Sequence, residues 1–272
     1  KLLGLGFTVE TDAFTAPTPL GQRKFRNLIA TWNPLAPRRL ILAAHYDSKY
    51  FPKMEFLGAT DSAFPCALLL ELAESLAPHL WQAKAQDVSL ELVFFDGEEA
   101  FKSWTSEDSI YGARHLAALW EAQAYEADAN QPRNTLQRID ALVLLDLLGA
   151  ARPQIRNFDK GATSYFQGLV GIERRLEGLG CFPGRGRGER IFQPQLIPGH
   201  HVEDDHVPFE QKGVPILHMI PLPFPSVWHK EGDNRDILDE RSMKELLAIF
   251  RVFTASYLHI DDLTRPLSKM RK

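Results

Sequence analysis

The sequence contains few cysteines, no long apolar run and no excess of positive charge. Only two of its 272 residues are cysteines, so at most one disulfide can form, and neither has a second cysteine near enough in sequence to make a metal pair. We find no run of about 18 apolar residues, so the sequence predicts no transmembrane helix. The 31 lysines and arginines against 35 aspartates and glutamates leave a net charge of −4. This slight acidity argues against a nucleic-acid partner, which calls for a cationic excess.

Length and composition are those of an ordinary globular domain of the size common among enzymes. Hydrophobic residues make up 44% of the chain and charged residues 24%. A chain of this length buries about three quarters of its unfolded surface, so folding requires neither a disulfide nor a metal. We expect one domain over residues 1–272. The chain opens on Lys-Leu-Leu-Gly-Leu-Gly-Phe, which is typical of a helix end, so we also expect an upstream segment before Lys1.

The apolar pattern switches repeatedly between the period of a strand and that of a helix. This alternation predicts an α/β fold with a mixed, mostly parallel sheet and helices on both faces. We expect the helix that begins at Ser109 to be capped by Asp108 or Ser109. The basic Gly-Arg-Gly-Arg-Gly-Glu-Arg run at 184–190 is predicted to be a solvated, mobile loop. Strands are predicted at 7–14, 25–31, 40–44, 90–95, 139–148 and 214–220, and helices at 65–80, 109–123, 163–179 and 242–259.

Acidic and imidazole residues follow several of the predicted strands. His45 ends the first buried strand, Glu98 and Glu99 follow the next, and Asp146 lies at the end of a third. In open α/β sheets, ligands bind beyond the carboxyl ends of the strands, so these side chains should meet at one edge. Several carboxylates cannot be buried together without a cation or shared protons. Aspartate, glutamate and histidine donors without cysteine favour a catalytic zinc site that keeps a position for water or substrate.

The adjacent pair Glu98 and Glu99 is informative because consecutive side chains at a strand end diverge. One carboxylate can therefore bind a metal while its neighbour faces the substrate and carries a proton. The pattern predicts a metal site but does not identify a reaction.

The sequence contains, in this order, the segments HYDSKYF, GATDSAFPCALLLELA, FFDGEEAF, DSIYGARHLA, LLDLLGA, EDDHVPF, GVPILHMIPLPFP and VWH. Together these motifs resemble the animal-type glutaminyl cyclases (glutaminyl-peptide cyclotransferases), relatives of the zinc aminopeptidases. The resemblance extends from Phe7 to Leu258, nearly the whole chain. It implies a single α/β domain with a central mixed six-stranded sheet flanked by helices. It also implies cyclisation of an N-terminal glutamine to pyroglutamate with release of ammonia.

The resemblance implies one zinc ion per chain, held by Asp61, Glu99 and His229. Glu98 matches the residue that acts as general base and acid in the family. Asp204 and Asp146 match a pair of carboxyls that share a proton beside the metal, which is physically reasonable because two close carboxylates do not both ionise freely. Residues expected at the substrate pocket are Trp104, Phe224 and Trp228 in its wall, with His218 and Glu203 nearby.

The implied partners are peptides and proteins with N-terminal glutamine, with N-terminal glutamate left open as a second substrate. We expect a monomer of the secretory pathway, secreted or in the Golgi lumen. Glu203 resembles the Golgi-resident branch of the family. One departure weakens the expectation of secretion: secreted relatives carry a cysteine where Ala44 stands here, so the family disulfide is absent and Cys66 is expected to be a free thiol.

Two other functions compete with the cyclase. A two-zinc aminopeptidase is favoured by His45 and Asp146, with Asp61 able to bridge two metals. The DGEEAF, EDDHVPF and PFPSVWH blocks favour the cyclase instead. A non-catalytic scaffold on a decayed peptidase fold predicts lost ligands or a lost base, and the sequence retains all of them.

Overall fold

The computed structural model describes residues 1–80, 87–125, 133–186, 188–197 and 202–260. Within them a mixed sheet of six strands, in the order β1-β2-β4-β3-β7-β10, forms the centre of the molecule. The strands are β1 (Thr8–Thr18), β2 (Gly21–Thr31), β3 (Arg38–His45), β4 (Val88–Phe95), β5 (Ala124–Tyr125), β6 (Arg133–Asn134), β7 (Ile139–Leu145), β8 (Ile155–Asn157), β9 (Phe192–Leu196) and β10 (Ile216–Met219).

The pairing confirms the predicted mixed, mostly parallel sheet. The pairs β1–β2 and β2–β4 are antiparallel, whereas β4–β3, β3–β7 and β7–β10 are parallel. Two small sheets that the periodicity does not reveal pair β5 with β6 and β8 with β9. The helices are α1 (Leu2–Leu5), α2 (Phe64–Leu80), α3 (Tyr111–Ala122), α4 (Thr163–Gly178), α5 (Val207–Glu210) and α6 (Glu240–Tyr257).

The central strands are buried on both faces, as their predominantly apolar sequences require. Along β3, Leu40, Leu42 and Ala44 face a core that contains α2, α4 and α6, while Ile41 and Ala43 face a second core that contains α3 and α5. Side chains alternate between the two faces of a strand, so one strand serves both cores. With both faces covered, the carboxyl ends of the parallel strands are where a site can open.

The predicted cap of α3 is wrong. Ile110 precedes this helix, with φ +43° and no side-chain hydrogen bond to the first turn. Asp108 does not cap α3. Its carboxylate instead accepts hydrogen bonds from the backbone N–H groups of Phe101, Lys102 and Ser103 in the preceding loop. A carboxylate can satisfy either a helix end or a loop, and here it closes the loop that follows β4.

The predicted solvated loop at 184–190 is also wrong at Arg185. Its guanidinium is 3% exposed and pairs with Glu173 of α4 and Glu245 of α6. The same group lies over the ring of Phe182, 4.4 Å from its centroid. Arg185 therefore links α4 and α6 through buried ion pairs. Position 187 lies outside the described residues.

Both cysteines are free thiols, which for Cys66 confirms the prediction. The thiol of the half-buried Cys66 donates to the carbonyl oxygen of His45 at 3.1 Å, and Cys181 is exposed. Among the described residues, no helix combines the length and the apolar character needed to cross a membrane.

Candidate active site

Acidic and imidazole side chains converge beyond the carboxyl ends of the parallel strands. His45 is the last residue of β3, and Asp146 directly follows β7. Glu98 and Glu99 follow β4, and Asp61 lies in the turn that leads into α2. The sequence predicted that these segments meet at one sheet edge, and the structure brings them together.

Asp61, Glu99 and His229 form a three-donor group that suits a metal ion. The His229 Nε2 atom lies 3.1 Å from Glu99 Oε1 and 3.4 Å from Asp61 Oδ2. The three donor atoms all lie within 4.8 Å of one another. Asp61 Oδ2 is buried and accepts no hydrogen bond from the described residues. Two carboxylates and one imidazole with an unsatisfied buried oxygen fit zinc in a site that keeps one position open.

Two residues that the sequence did not single out hold Glu98 and Glu99 in place. The carboxylate of Asp47 accepts the backbone N–H groups of Glu98 and Glu99, at 3.0 and 3.1 Å. The Lys49 ammonium donates to Glu99 Oε2 and to the carbonyl oxygen of Ala100, both at 3.1 Å. Both residues belong to the HYDSKYF segment after β3. Their charged side chains in that motif are the sequence feature that could have indicated a role at the site. They orient Glu99 so that its other oxygen faces His229.

Glu98 is buried at the wall of the cavity beside this group. Burial raises the pKa of its carboxyl well above the usual range, and the negative charges of Asp204 and Glu99 raise it further, against the opposing effect of His45. A carboxyl with a raised pKa next to an open metal position can take up and return a proton.

Two more buried carboxyls, those of Asp204 and Asp146, lie near Glu98 in contrasting environments. Asp204 Oδ2 lies 2.7 Å from His218 Nε2; burial alone would raise the pKa of Asp204, but this contact holds it below the usual value. Asp146 Oδ1 accepts from the hydroxyl of Ser62 and, at 2.8 Å, from the N–H of Leu147. Burial and the charge of Asp204 raise the pKa of Asp146 to about 6. Their environments separate the two pKa values, so one carboxyl can keep a proton while the other is ionised.

The cavity above these groups has a volume of about 580 Å³ and aromatic walls. The Phe224 and Trp228 rings meet edge to face, 5.1 Å apart, and Trp228 stacks on His229 at 4.2 Å. Across the mouth, the Trp104 indole N–H donates to the Glu203 carboxylate at 2.8 Å. The cavity therefore offers apolar faces around a floor of carboxylates.

Comparison with known proteins decides the family. The sequence profile of peptidase family M28 matches residues 27–254. The chain is 46% identical over 266 residues to the glutaminyl-peptide cyclotransferase of Drosophila melanogaster, covering 95% of this chain and 72% of that protein. This chain belongs to the glutaminyl-peptide cyclotransferases of peptidase family M28. It is accordingly an enzyme of the acyltransferase class, and the resemblance seen in the motifs is confirmed.

Further glutaminyl cyclases agree in sequence and in fold. The glutaminyl-peptide cyclotransferase of Bos taurus is 45% identical over 262 residues, which cover 93% of this chain and 72% of that protein. The crystal structure of the Macrostomum lignano glutaminyl cyclase matches with a TM-score of 0.86 and 43% identity, over 97% of this chain and 80% of that one. The single-domain zinc-aminopeptidase-like architecture expected from the sequence is thus confirmed.

Two further groups of potential metal donors adjoin the first in this glutaminyl cyclase. His45 Nε2 lies 3.1 Å from Asp61 Oδ1 and 3.3 Å from Asp146 Oδ1. The other group contains Asp204, His218 and His206. His206, which the sequence did not single out, lies with its ring 4.3 Å from that of His218.

The predicted site residues divide between the cavity wall and the layer behind it. Asp204 and His218 are absent from the wall and contact each other instead, so His218 supports Asp204 rather than facing the cavity. The wall contains Asp61, Glu98, Glu99, Trp104, Asp146, Glu203, Phe224, Trp228 and His229.

Proposed function

We propose that this chain cyclises the N-terminal glutamine of peptides and proteins to pyroglutamate, releases ammonia, and uses one zinc ion held by Asp61, Glu99 and His229. The observation that carries the proposal is the position of the raised-pKa carboxyl of Glu98 beside this three-donor group, at the floor of an aromatic cavity. When bound, zinc would polarise the side-chain amide carbonyl of the substrate and stabilise the negative charge that develops on its oxygen.

Glu98 moves the proton in this proposal. Its carboxylate accepts a proton from the substrate α-amine as the amine nitrogen bonds to the amide carbon. The same carboxyl then returns the proton to the departing amide nitrogen as the carbon–nitrogen bond breaks, so ammonia leaves and the five-membered lactam remains. No water is consumed. Glu98 would be available as a carboxylate base in the loaded site, because a cation held by the neighbouring Glu99 would lower the pKa of Glu98.

Asp204 and Asp146 set the negative charge near Glu98 during this proton transfer. His218 stabilises the ionised form of Asp204, and the negative charge of Asp204 favours a protonated Asp146. A protonated Asp146 beside an ionised Asp204 limits the negative charge that Glu98 meets when it ionises. We propose that the pair keeps one proton between them during turnover.

The aromatic walls orient the substrate. Trp104, Phe224 and Trp228 present flat apolar faces against which the aliphatic part of a glutamine can pack, while its amide reaches the floor. The attacking amine and the amide belong to the same residue, so closing the ring loses little translational entropy once the side chain is folded. The cavity thus only has to select a folded glutamine and exclude water.

A two-zinc aminopeptidase is the second candidate, and the His45, Asp61 and Asp146 group favours it. Against it, the Asp146 oxygen nearest His45 already accepts hydrogen bonds from Ser62 and Leu147, so a second metal bound at this oxygen would compete with both donors. We therefore propose one zinc per chain rather than two.

The test combines metal content with the product formed. The purified chain, loaded with zinc and freed of excess metal by gel filtration, is incubated with a glutamine-initiated peptide. We expect one zinc per chain, and ammonia release with loss of one ammonia from the peptide mass and no shortening. Two zinc ions per chain together with free amino acids would establish the aminopeptidase instead. A glutamate-initiated peptide in parallel shows whether water can be the leaving group.

We also propose that the chain is a monomer of the secretory pathway. Light scattering of the purified chain tests the first part, and a dimer mass would contradict it. Imaging the epitope-tagged full-length protein against Golgi and cytosolic markers tests the second.

A further inference from the structure

Asp61 and His229, two of the three residues in the metal-binding group, lie on two separate loops. The Asp61 loop (58–63) is tightly folded. A Cβ atom added to Gly58 would lie only 2.1 Å from the carbonyl oxygen of Asp61. The His229 loop (225–233) is a series of turns in which His229 has φ +55°, a conformation that non-glycine residues rarely adopt. Neither loop is part of a strand or of a helix longer than two turns. Something must fix the distance between them before a metal can be held.

Asp233 lies at the end of the His229 loop and contacts both loops. Its backbone N–H donates to the carbonyl of Lys230 at 2.9 Å, which closes the last turn of its own loop. Its carbonyl oxygen accepts the N–H of Ala59 at 3.1 Å, and its Oδ1 atom accepts the N–H of Thr60 at 2.8 Å. One residue therefore makes hydrogen bonds to both loops, and Thr60 is the immediate neighbour of Asp61.

The Asp233 side chain is fully buried, so its polar contacts take place away from bulk water. Hydrogen bonds are electrostatically stronger in such an environment, and a buried N–H left without an acceptor is costly. The bond to Thr60 therefore restrains the backbone next to Asp61 in the arrangement that places Asp61 Oδ2 3.4 Å from His229 Nε2.

We propose that Asp233 is a positioning residue for the metal site: its Oδ1–Thr60 hydrogen bond sets the spacing of Asp61 and His229 before the metal binds. This inference rests on the proposed zinc site, but nothing in the family assignment specifies it. Groups that orient metal ligands without touching the metal raise metal affinity by 10–100-fold. The role depends on an acceptor oxygen at this position rather than on the charge of the carboxylate.

Zinc affinity separates this role from a general effect on folding. The zinc dissociation constant is measured by competition with a chromogenic chelator, at a temperature where circular dichroism shows every variant folded. D233A removes the acceptor and should weaken zinc binding about 10–100-fold. D233N keeps an acceptor oxygen and should bind zinc within about threefold of wild type. Asp239 is the matched control: it caps α6 through Ser242 at 2.8 Å, so D239A should lower Tm and leave zinc affinity unchanged.

Three outcomes would overturn the proposal: wild-type zinc affinity in D233A, an equal loss in D239A, or a loss in D233N as large as in D233A. If wild type itself binds no zinc, the proposed zinc site fails, and that result is distinct from the other three. Should D233A not fold, hydrogen exchange in zinc-free wild type decides. The Thr60 amide should be protected before zinc is added, and unprotected exchange would contradict a preformed contact.

Discussion

Trp104 and Glu203 join two loops across the mouth of the cavity, through an indole N–H that donates to a carboxylate oxygen at 2.8 Å. Trp104 belongs to the loop after β4, and Glu203 precedes the Asp204 segment. Both are partly exposed, with Trp104 38% exposed, so packing alone does not fix the indole. The hydrogen bond is what holds this wall in the position where a substrate side chain would pack.

Removing the Trp104–Glu203 hydrogen bond should weaken substrate binding more than turnover. We expect E203A and W104F each to raise KM for a glutamine-initiated peptide up to about tenfold, the equivalent of one hydrogen bond, with kcat within about twofold of wild type. E203Q, which keeps an acceptor, should retain most of the binding. Steady-state kinetics with ammonia detection measures both constants.

A double-mutant cycle tests whether the two residues act through each other. The E203A/W104F variant should be little worse than either single variant, because both remove the same contact. Fully additive effects on KM would show that the hydrogen bond is not the source of the losses.

Asp108 should control the same loop from the other side. Its carboxylate accepts three backbone N–H groups at 2.9–3.1 Å and the Tyr111 hydroxyl at 2.9 Å. Replacing it by alanine leaves those donors without their acceptor, and we expect a loss of about 1–3 kcal/mol in the free energy of unfolding together with a higher KM. Y111F removes one donor of the four and should lose about 1 kcal/mol or less. Equal losses in the two variants would contradict this assignment.

The Asp108 contribution should depend on pH in a defined direction. Burial would raise its pKa, but the three N–H donors outweigh burial and hold the pKa below the usual value. A lowered folded-state pKa stabilises the fold above the unfolded pKa of about 4, and this stability is lost as the pH falls through the folded value. The difference in Tm between wild type and D108N should therefore be constant near neutral pH and shrink below about pH 4. A difference that grows on acidification would contradict it.

Arg185 should be a major contributor to stability although it lies in a Gly-Arg loop. R185M leaves Glu173 and Glu245 buried without their cation, so we expect a loss of about 3–5 kcal/mol in the free energy of unfolding. Arg190 is the matched control, since its pair with Glu177 is about 30% exposed and R190M should lose at most about 1 kcal/mol. Urea denaturation measures both. Equal losses would show that burial does not distinguish the two pairs.

The central strands could be predicted from the sequence, whereas the buried position of Arg185 could not. The central strands were predicted because a strand buried on two faces is mostly apolar: 40–44 is a continuous apolar run, and 90–95 is apolar except at Glu91. Arg185 was assigned to a solvated loop because its partners, Glu173 and Glu245, lie 12 and 60 positions away in sequence. Nothing local distinguishes an arginine that returns to the core from one that faces water.

The same limit applies to the site. The motif resemblance indicated the residues that converge on the cavity because their order and neighbours are characteristic. It did not reveal Asp47, Lys49 or Asp233, which act through backbone groups and through Glu99. Asp108 was assigned to a helix cap because an acidic residue before a helix usually caps it, whereas here the loop after β4 supplies three donors.

The two thiols should differ sharply in reactivity. Burial raises the pKa of the Cys66 thiol to about 12, so Cys66 stays protonated near neutral pH, whereas Cys181 is exposed. A colorimetric thiol reagent should label one thiol per folded chain quickly, and both in denaturant. C181S should abolish the fast phase. Rapid labelling of two thiols in the folded wild type would contradict the low reactivity expected of Cys66.

Glu98 as the proton carrier is the central claim, and E98Q tests it most directly. Glutamine keeps the size of the side chain but cannot accept and return the proton, so turnover should fall by about 10²–10⁴-fold. Zinc should stay bound, because the ligands Asp61, Glu99 and His229 are untouched. The decisive measurement is ammonia release from a glutamine-initiated peptide, with zinc content determined on the same sample. A large loss of ammonia release with zinc retained is the predicted result, and wild-type turnover in zinc-loaded E98Q would contradict the account.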